Sequence, residues 1–172
     1  ARRSKMPATT WSPSLIWTPV QFCLLYWMIW YVTGPGDAHL NALETIVLFF
    51  GVGVITGTVG INYSHELMHQ KNKTERFLGD VLLSMVLYSH FRSEHLLVHH
   101  RHVGTPRDPV TARYNEGFHR FFPRVLVESF KSAFNAEKDM LSRKGKPWTD
   151  LGNPFWKYWG MQGFMILLAV LI

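Results

Sequence analysis

Read by its apolar and polar positions, the chain alternates long uncharged runs with polar stretches dense in histidine and basic residues. Residues 14–32, SLIWTPVQFCLLYWMIWYV, are 19 positions without a formal charge. That is about the length at which a helix crosses the hydrocarbon core of a bilayer. Pro19 falls in the first turns, where a missing amide is tolerated, and the Trp and Tyr cluster at 26–31 suits an interfacial belt. Residues 34–41, GPGDAHLN, read as a tight turn, with His39 an ordinary surface residue. A second apolar run starts at Ala42 with Glu44 near its entry, and Gly53, Gly57 and Gly60 recur at helical spacing, so that a neighbouring helix can approach that side closely. Residues 77–89 are apolar but only about 13 long and contain Asp80, which fits a re-entrant or interface-lying helix rather than a span. After a break at Thr105, Pro106, Asp108 and Pro109, residues 115–143 place apolar and basic positions as an amphipathic interfacial helix does, interrupted at Pro123. A last apolar run begins at Phe155.

The predicted architecture is therefore all-α and polytopic, with about three spanning helices (14–33, 42–66 and 155–172), a histidine-rich region at 65–102 and an amphipathic region at 115–146. Composition agrees: 15 % of residues are aromatic, seven of them Trp. Charge orients the spans. After Arg2, Arg3 and Lys5 no Lys or Arg occurs until Lys71, and the remaining fifteen all follow, so the net charge of +6 belongs to the second part of the chain. The positive-inside rule then puts the start of the first span, the end of the second and residues 71–146 in the cytoplasm, and residues 34–41 on the other side. The single cysteine, Cys23, excludes an internal disulfide, a cysteine-based zinc site and an iron–sulfur cluster, and reads as a small apolar residue. Beginning at Ala1 and ending within an apolar run, the chain is expected to be the central fragment of a longer membrane protein.

Seven of the nine histidines lie between His65 and His102. His65 and His69 in HELMH stand four apart, as do His95 and His99 in EHLLVHH, so each pair shares a helix face. Neutral imidazole suits iron, zinc, copper or nickel, and spacing alone does not choose among them. HELMH also matches the HExxH pattern in which two histidines bind zinc and the glutamate acts as general base. A single tetrahedral zinc has no use for a second cluster of three histidines, however, whereas two metals with open positions do. A basic lipid-contacting surface is a poorer explanation, because imidazole is mostly uncharged near neutral pH. The candidate metal ligands are His65, His69, His95, His99 and His100, with His90 and His102 as further candidates. Glu66 and Glu94 are the candidate catalytic carboxylates, expected to orient imidazoles through the nitrogen that faces away from the metal or, as the alternative, to bind the metal themselves.

At these residues the chain resembles the membrane-bound alkane 1-monooxygenases, the integral-membrane di-iron hydroxylases to which xylene monooxygenase is related. The family's first box, HE-L/M-x-HK, is matched by His65, Glu66, Leu67, Met68 and His69, with Gln70 in place of Lys. The second, EHxxGHH, is matched by Glu94, His95, His99 and His100, with Val98 in place of Gly. Tyr88, Ser89, His90 and Phe91 before it, and Thr105, Pro106, Asp108 and Pro109 after it, also look like the family. The resemblance implies one membrane-embedded catalytic domain, incomplete in these 172 residues, with further histidines beyond Ile172. It implies two non-haem irons, O2 as co-substrate, hydroxylation of the terminal carbon of an alkane or similar apolar molecule, and rubredoxin with its reductase as electron source. The expected setting is the inner membrane of a bacterium, with the histidine boxes on the cytoplasmic side and no nucleic-acid partner. The rival readings are a membrane fatty-acid desaturase or xylene-type monooxygenase and, from other classes, an intramembrane zinc protease or a non-enzymatic metal-binding or transport protein.

Overall fold

The structure, a computed structural model, describes residues 13–34 and 40–172. The basic residues at positions 2, 3 and 5, most of the turn at 34–41 and His39 lie outside the described residues. Every regular element among the described residues is helical, in keeping with the predicted all-α class. The chain divides into two compact units, one of residues up to Leu82 together with Ile172 and one of Leu83–Leu171.

In the first unit, α1 is Pro13–Thr33 and runs unbroken through Pro19. The next helix opens on a capping box: the Asn41 side chain accepts from the Glu44 amide at 3.0 Å, while the Glu44 carboxylate accepts from the Asn41 amide at 2.7 Å. It continues as α2 (Ala42–Ile55), a π-helical turn, π1 (Thr56–Gly60), and α3 (Ile61–Met68). Leu15–Thr33 and Ala42–Met68 are long and apolar enough to cross a membrane. Leu43, Ile46, Val47 and Phe50 are 60–72 % exposed, a run of apolar side chains that water solvates poorly and lipid solvates well.

The glycine stripe packs only in part. Gly60 lies against the buried Gln21, whose amide would collide with a Cβ there, and Gln21 also accepts from Trp17 Nε1 at 2.7 Å. Gly53 and Gly57 have nothing within 4 Å of such a Cβ. Gly57 and Gly60 both lie in the wide turn, where three- and four-residue spacings no longer keep positions on one face, so the earlier glycines leave the face that Gly60 presents. A second close approach sits beside the first histidine pair. Gly79, on α4 (Lys73–Met85), leaves only 3.1 Å between a would-be Cβ and Leu67, and its carbonyl accepts from the buried Ser64 hydroxyl at 2.9 Å.

The second unit begins as α4 ends. Leu87 adopts a left-handed φ of 55° and the Tyr88 amide bonds back to the Leu83 carbonyl at 2.9 Å, a helix stop that a glycine usually makes. There follow α5 (Phe91–Ser93), a second π-helical turn, π2 (Glu94–His99), and α6 (His100–His102). The long amphipathic helix α7, Phe118–Ser142, runs through Pro123 rather than being interrupted there. Proline's missing donor is confined to the second turn, where it leaves one carbonyl without its helical bond and the helix persists. Val125, Ser129, Ala133, Glu137 and Leu141 form its buried stripe at four-residue spacing. Ala133 packs with Phe155 and Tyr158 of α8 (Pro154–Leu171), which the Asn153 side chain caps by accepting from the Phe155 amide at 3.1 Å. Ser93 Oγ donates to the buried Glu137 carboxylate at 2.6 Å and lies 3.0 Å from the Tyr158 hydroxyl, so a polar bridge ties α5, α7 and α8 two residues before His95.

Candidate metal centre

The first histidine pair sits where the apolar helix turns polar. Ser64, Leu67 and Met68 bury one face of α3, and His65, Glu66 and His69 occupy the exposed face. The His65 and His69 rings are edge-to-face with centroids 4.8 Å apart, and their ligand nitrogens lie within 4.8 Å of each other. The four-residue spacing thus does what it predicts, with His69 closing the helix as its C-cap.

In the second unit the expected α-helical pairing is replaced by π2. His95 and His99 stack with centroids 5.3 Å apart, while the closer ring is that of His100, at 4.4 Å and edge-on. The Nε2 atoms of His95 and His100 are 2.9 Å apart. On an α-helix two residues five apart point about 140° away from each other, and widening the turn is what realigns them. Histidine is tolerated in this arrangement because the polar nitrogens converge while Val98 and Glu94 carry the buried side of the turn.

Asp108 completes the cluster. Its side chain is fully buried, and its Oδ2 accepts from His99 Nδ1 at 2.9 Å and from the Thr111 hydroxyl at 2.6 Å, while Oδ1 accepts from the Val110 amide at 3.1 Å. An ionised carboxylate only accepts, so the His99 proton is held on Nδ1 and the Nε2 lone pair is left for a metal. In the sequence Asp108 reads as part of a helix break and of the family resemblance, with no role at a histidine. An acid flanked by Pro106 and Pro109 just after the histidine run was the available signal.

Glu94 is fully buried and neither carboxylate oxygen has a hydrogen-bond partner among the described residues. Burial pushes its carboxyl up to about 7; the negative charge of Asp108 adds to the rise and His99 opposes it. His90 Nε2 is likewise buried and unpartnered, its ring packed against Tyr88 and Phe130 at centroid distances of 4.5 and 5.2 Å, and burial lowers its pKa to about 4. His102 sits elsewhere in the unit, lining a groove of about 470 Å³ with Arg101, Arg107 and Arg143. His119, on α7, contacts Phe118.

The donor set fits a transition metal. Two nitrogens bound at about 2.1 Å and at a right angle around one ion stand about 3 Å apart, which is the His95–His100 separation. Orphaned buried donors and acceptors beside them, on His90 and Glu94, are what a site built around an ion leaves when the ion is not counted. With imidazole as the dominant donor, iron is accommodated, as zinc, copper and nickel are.

Comparison with known proteins agrees with the boxes. The profile of the Fatty acid desaturase family matches residues 41–172. The chain is 37 % identical to alkane 1-monooxygenase 2 of Alcanivorax borkumensis over 69 % of its own length and 35 % of that protein's. It is 36 % identical to alkane 1-monooxygenase of Acinetobacter baylyi, covering 69 % of this chain and 29 % of the relative. The xylene/toluene monooxygenase hydroxylase component XylM of Pseudomonas putida is 30 % identical over 78 % of this chain and 37 % of that protein. The chain thus spans about a third of the length of the curated relatives it matches.

Proposed function

Because the chain belongs to the fatty acid desaturase family, we propose that it forms the histidine-box part of an integral-membrane, non-haem di-iron monooxygenase that hydroxylates the terminal carbon of an alkane or similar apolar molecule. The observation that carries this reading is the His95, His99 and His100 cluster with Asp108 fixing the tautomer of His99, in a chain similar to alkane 1-monooxygenases. In the overall reaction one atom of O2 enters the C–H bond and the other leaves as water, with two electrons and two protons supplied from outside. Bound iron would supply the activation of O2 that no amino-acid side chain provides.

His65, His69, His95, His99 and His100 would hold the irons; five nitrogens exceed what a single zinc takes, and His90, whose buried Nε2 has no hydrogen-bond partner among the described residues, is a further candidate. Asp108 holds His99, Glu66 is assigned to orient an imidazole, and Glu94, whose buried oxygens have no hydrogen-bond partner among the described residues, would serve as a ligand itself. The exposed apolar faces of α1 and α2, the two stretches long and apolar enough to cross, would lie in lipid, into which an alkane partitions, and the exposed Phe164, Ile166, Leu167 and Val170 support the same for α8. The basic residues after Lys71 support a cytoplasmic position for both histidine boxes in the bacterial inner membrane. An acidic electron carrier of the rubredoxin type, with its reductase, suits the groove lined by Arg101, Arg107 and Arg143, since opposite charge speeds encounter.

The test uses the full-length protein that contains this chain, purified anaerobically from membranes. Elemental analysis should find about two irons per chain, and the enzyme with rubredoxin and its reductase should convert octane to 1-octanol only with O2. One zinc and no iron would sink the proposal in favour of the HExxH protease.

A further inference from the structure

We infer that Arg124, on α7, is a positioning residue for the metal site, clamping the turn that carries Asp108 and through it the ring of His99. The inference rests on the reading of His99 as a metal ligand. All five guanidinium N–H groups are used. Nε and Nη2 donate to the two carboxylate oxygens of Glu116 at 2.7 and 2.6 Å, Nη2 also to the Thr111 carbonyl at 3.2 Å, and Nη1 to the Pro109 carbonyl at 2.8 Å and to Glu128 at 3.1 Å.

The two carbonyls matter most. Pro109 and Thr111 lie one and three residues after Asp108, in a segment without regular structure, and each is bonded to the same side chain of a 25-residue helix. Thr111 also donates its hydroxyl to Asp108 and accepts from the Gly104 amide at 3.0 Å. Glu116 closes the far end of the segment by accepting from the Arg113 amide at 2.9 Å. A loop that would otherwise let Asp108 wander is thus fixed at both ends by one planar cation. Lysine carries the charge but has neither the plane nor enough donors to hold two carbonyls and two carboxylates at once.

No part of this chain of contacts requires Arg124 to touch metal or substrate, and that sets its expected signature. In the full-length enzyme, Arg124→Lys should leave helical content unchanged and lower iron retention against a chelator about tenfold, in the range that loss of a ligand-orienting partner produces. The visible bands of the cobalt-substituted protein should shift in the same variant. Asp108→Asn should give a similar loss, and the double variant should lose little beyond either single one, because both changes interrupt one path. Glu116→Gln, which weakens the anchor while sparing both carbonyl bonds, should give a smaller loss. Wild-type iron retention and cobalt bands in Arg124→Lys, or single losses that multiply in the double variant, would overturn the clamp. If Arg124→Lys does not fold, wild-type retention in Glu116→Gln overturns it instead. His99→Ala is the control: loss of metal there with full retention in Arg124→Lys refutes the clamp alone, whereas full retention in His99→Ala refutes the ligand reading and the clamp with it.

Discussion

The Nε2 atoms of His95 and His100 lie 2.9 Å apart across a π-helical turn, one residue out of step with the pairing that helical spacing predicts for His95 and His99. Two nitrogens that close are kept together by a shared proton or by a shared metal. In the metal-bound enzyme, His95→Ala and His100→Ala should each lower iron retention about tenfold or more, as loss of a ligand does at least as strongly as loss of its orienting partner. His119→Ala, on the exposed side of α7, should retain iron at the wild-type level. Chelator competition on the three variants measures this, and equal retention in all three contradicts the site.

Glu66 separates oxygenase from protease. It shares the exposed face of α3 with His65 and His69. As an orienting partner, Glu66→Gln should lose turnover together with metal, the affinity falling by about 10- to 100-fold. As a general base on metal-bound water it would lose turnover and keep the metal. Metal content measured beside activity in the one variant decides between them.

Sidedness follows from the placement of basic residues. Cysteines introduced singly at Gly36, which lies outside the described residues, and at the exposed Lys144, in a Cys23→Ala background, report on the two faces. An impermeant thiol reagent on intact cells should label the first and not the second. The reverse pattern would overturn the cytoplasmic assignment of the histidine boxes.

Acid should loosen the Asp108 segment before it unfolds the helices. The Arg124 guanidinium, bonded to both carboxylate oxygens, together with the Arg113 amide, holds Glu116 down to about 2 from an ordinary value of 4.5. A carboxyl depressed in the folded state stabilises fully above its unfolded value and loses that contribution as pH falls through its folded value. Hydrogen exchange at Thr111 and Arg113 should therefore accelerate between about pH 4.5 and 2, relative to the pH dependence of unstructured amides. Glu116→Gln should show faster exchange already at pH 6 and a flatter profile. Identical profiles for the two proteins would show that the Glu116 charge does not hold the segment.

By itself the sequence determined the elements whose cause is local. Uncharged runs of membrane length and the one-turn spacing of His65 and His69 act within a few residues, so they can be read in order along the chain. The paired histidine boxes likewise carry the family in residue types alone, and the comparisons bore that out. What only the tertiary structure decided depends on partners distant in sequence. Helical spacing treats every turn alike and has no term for a widened one, so the match of His95 with His100 is invisible to it. Pro123 reads as a break, yet α7 continues through it. Asp108 reads as part of a turn, and becomes the acceptor for His99 only because the turn is folded back beneath the ring and fixed there by Arg124, fifteen residues beyond the Pro109 carbonyl it binds. Packing and hydrogen bonding between separate segments assign those roles, and no periodicity encodes them.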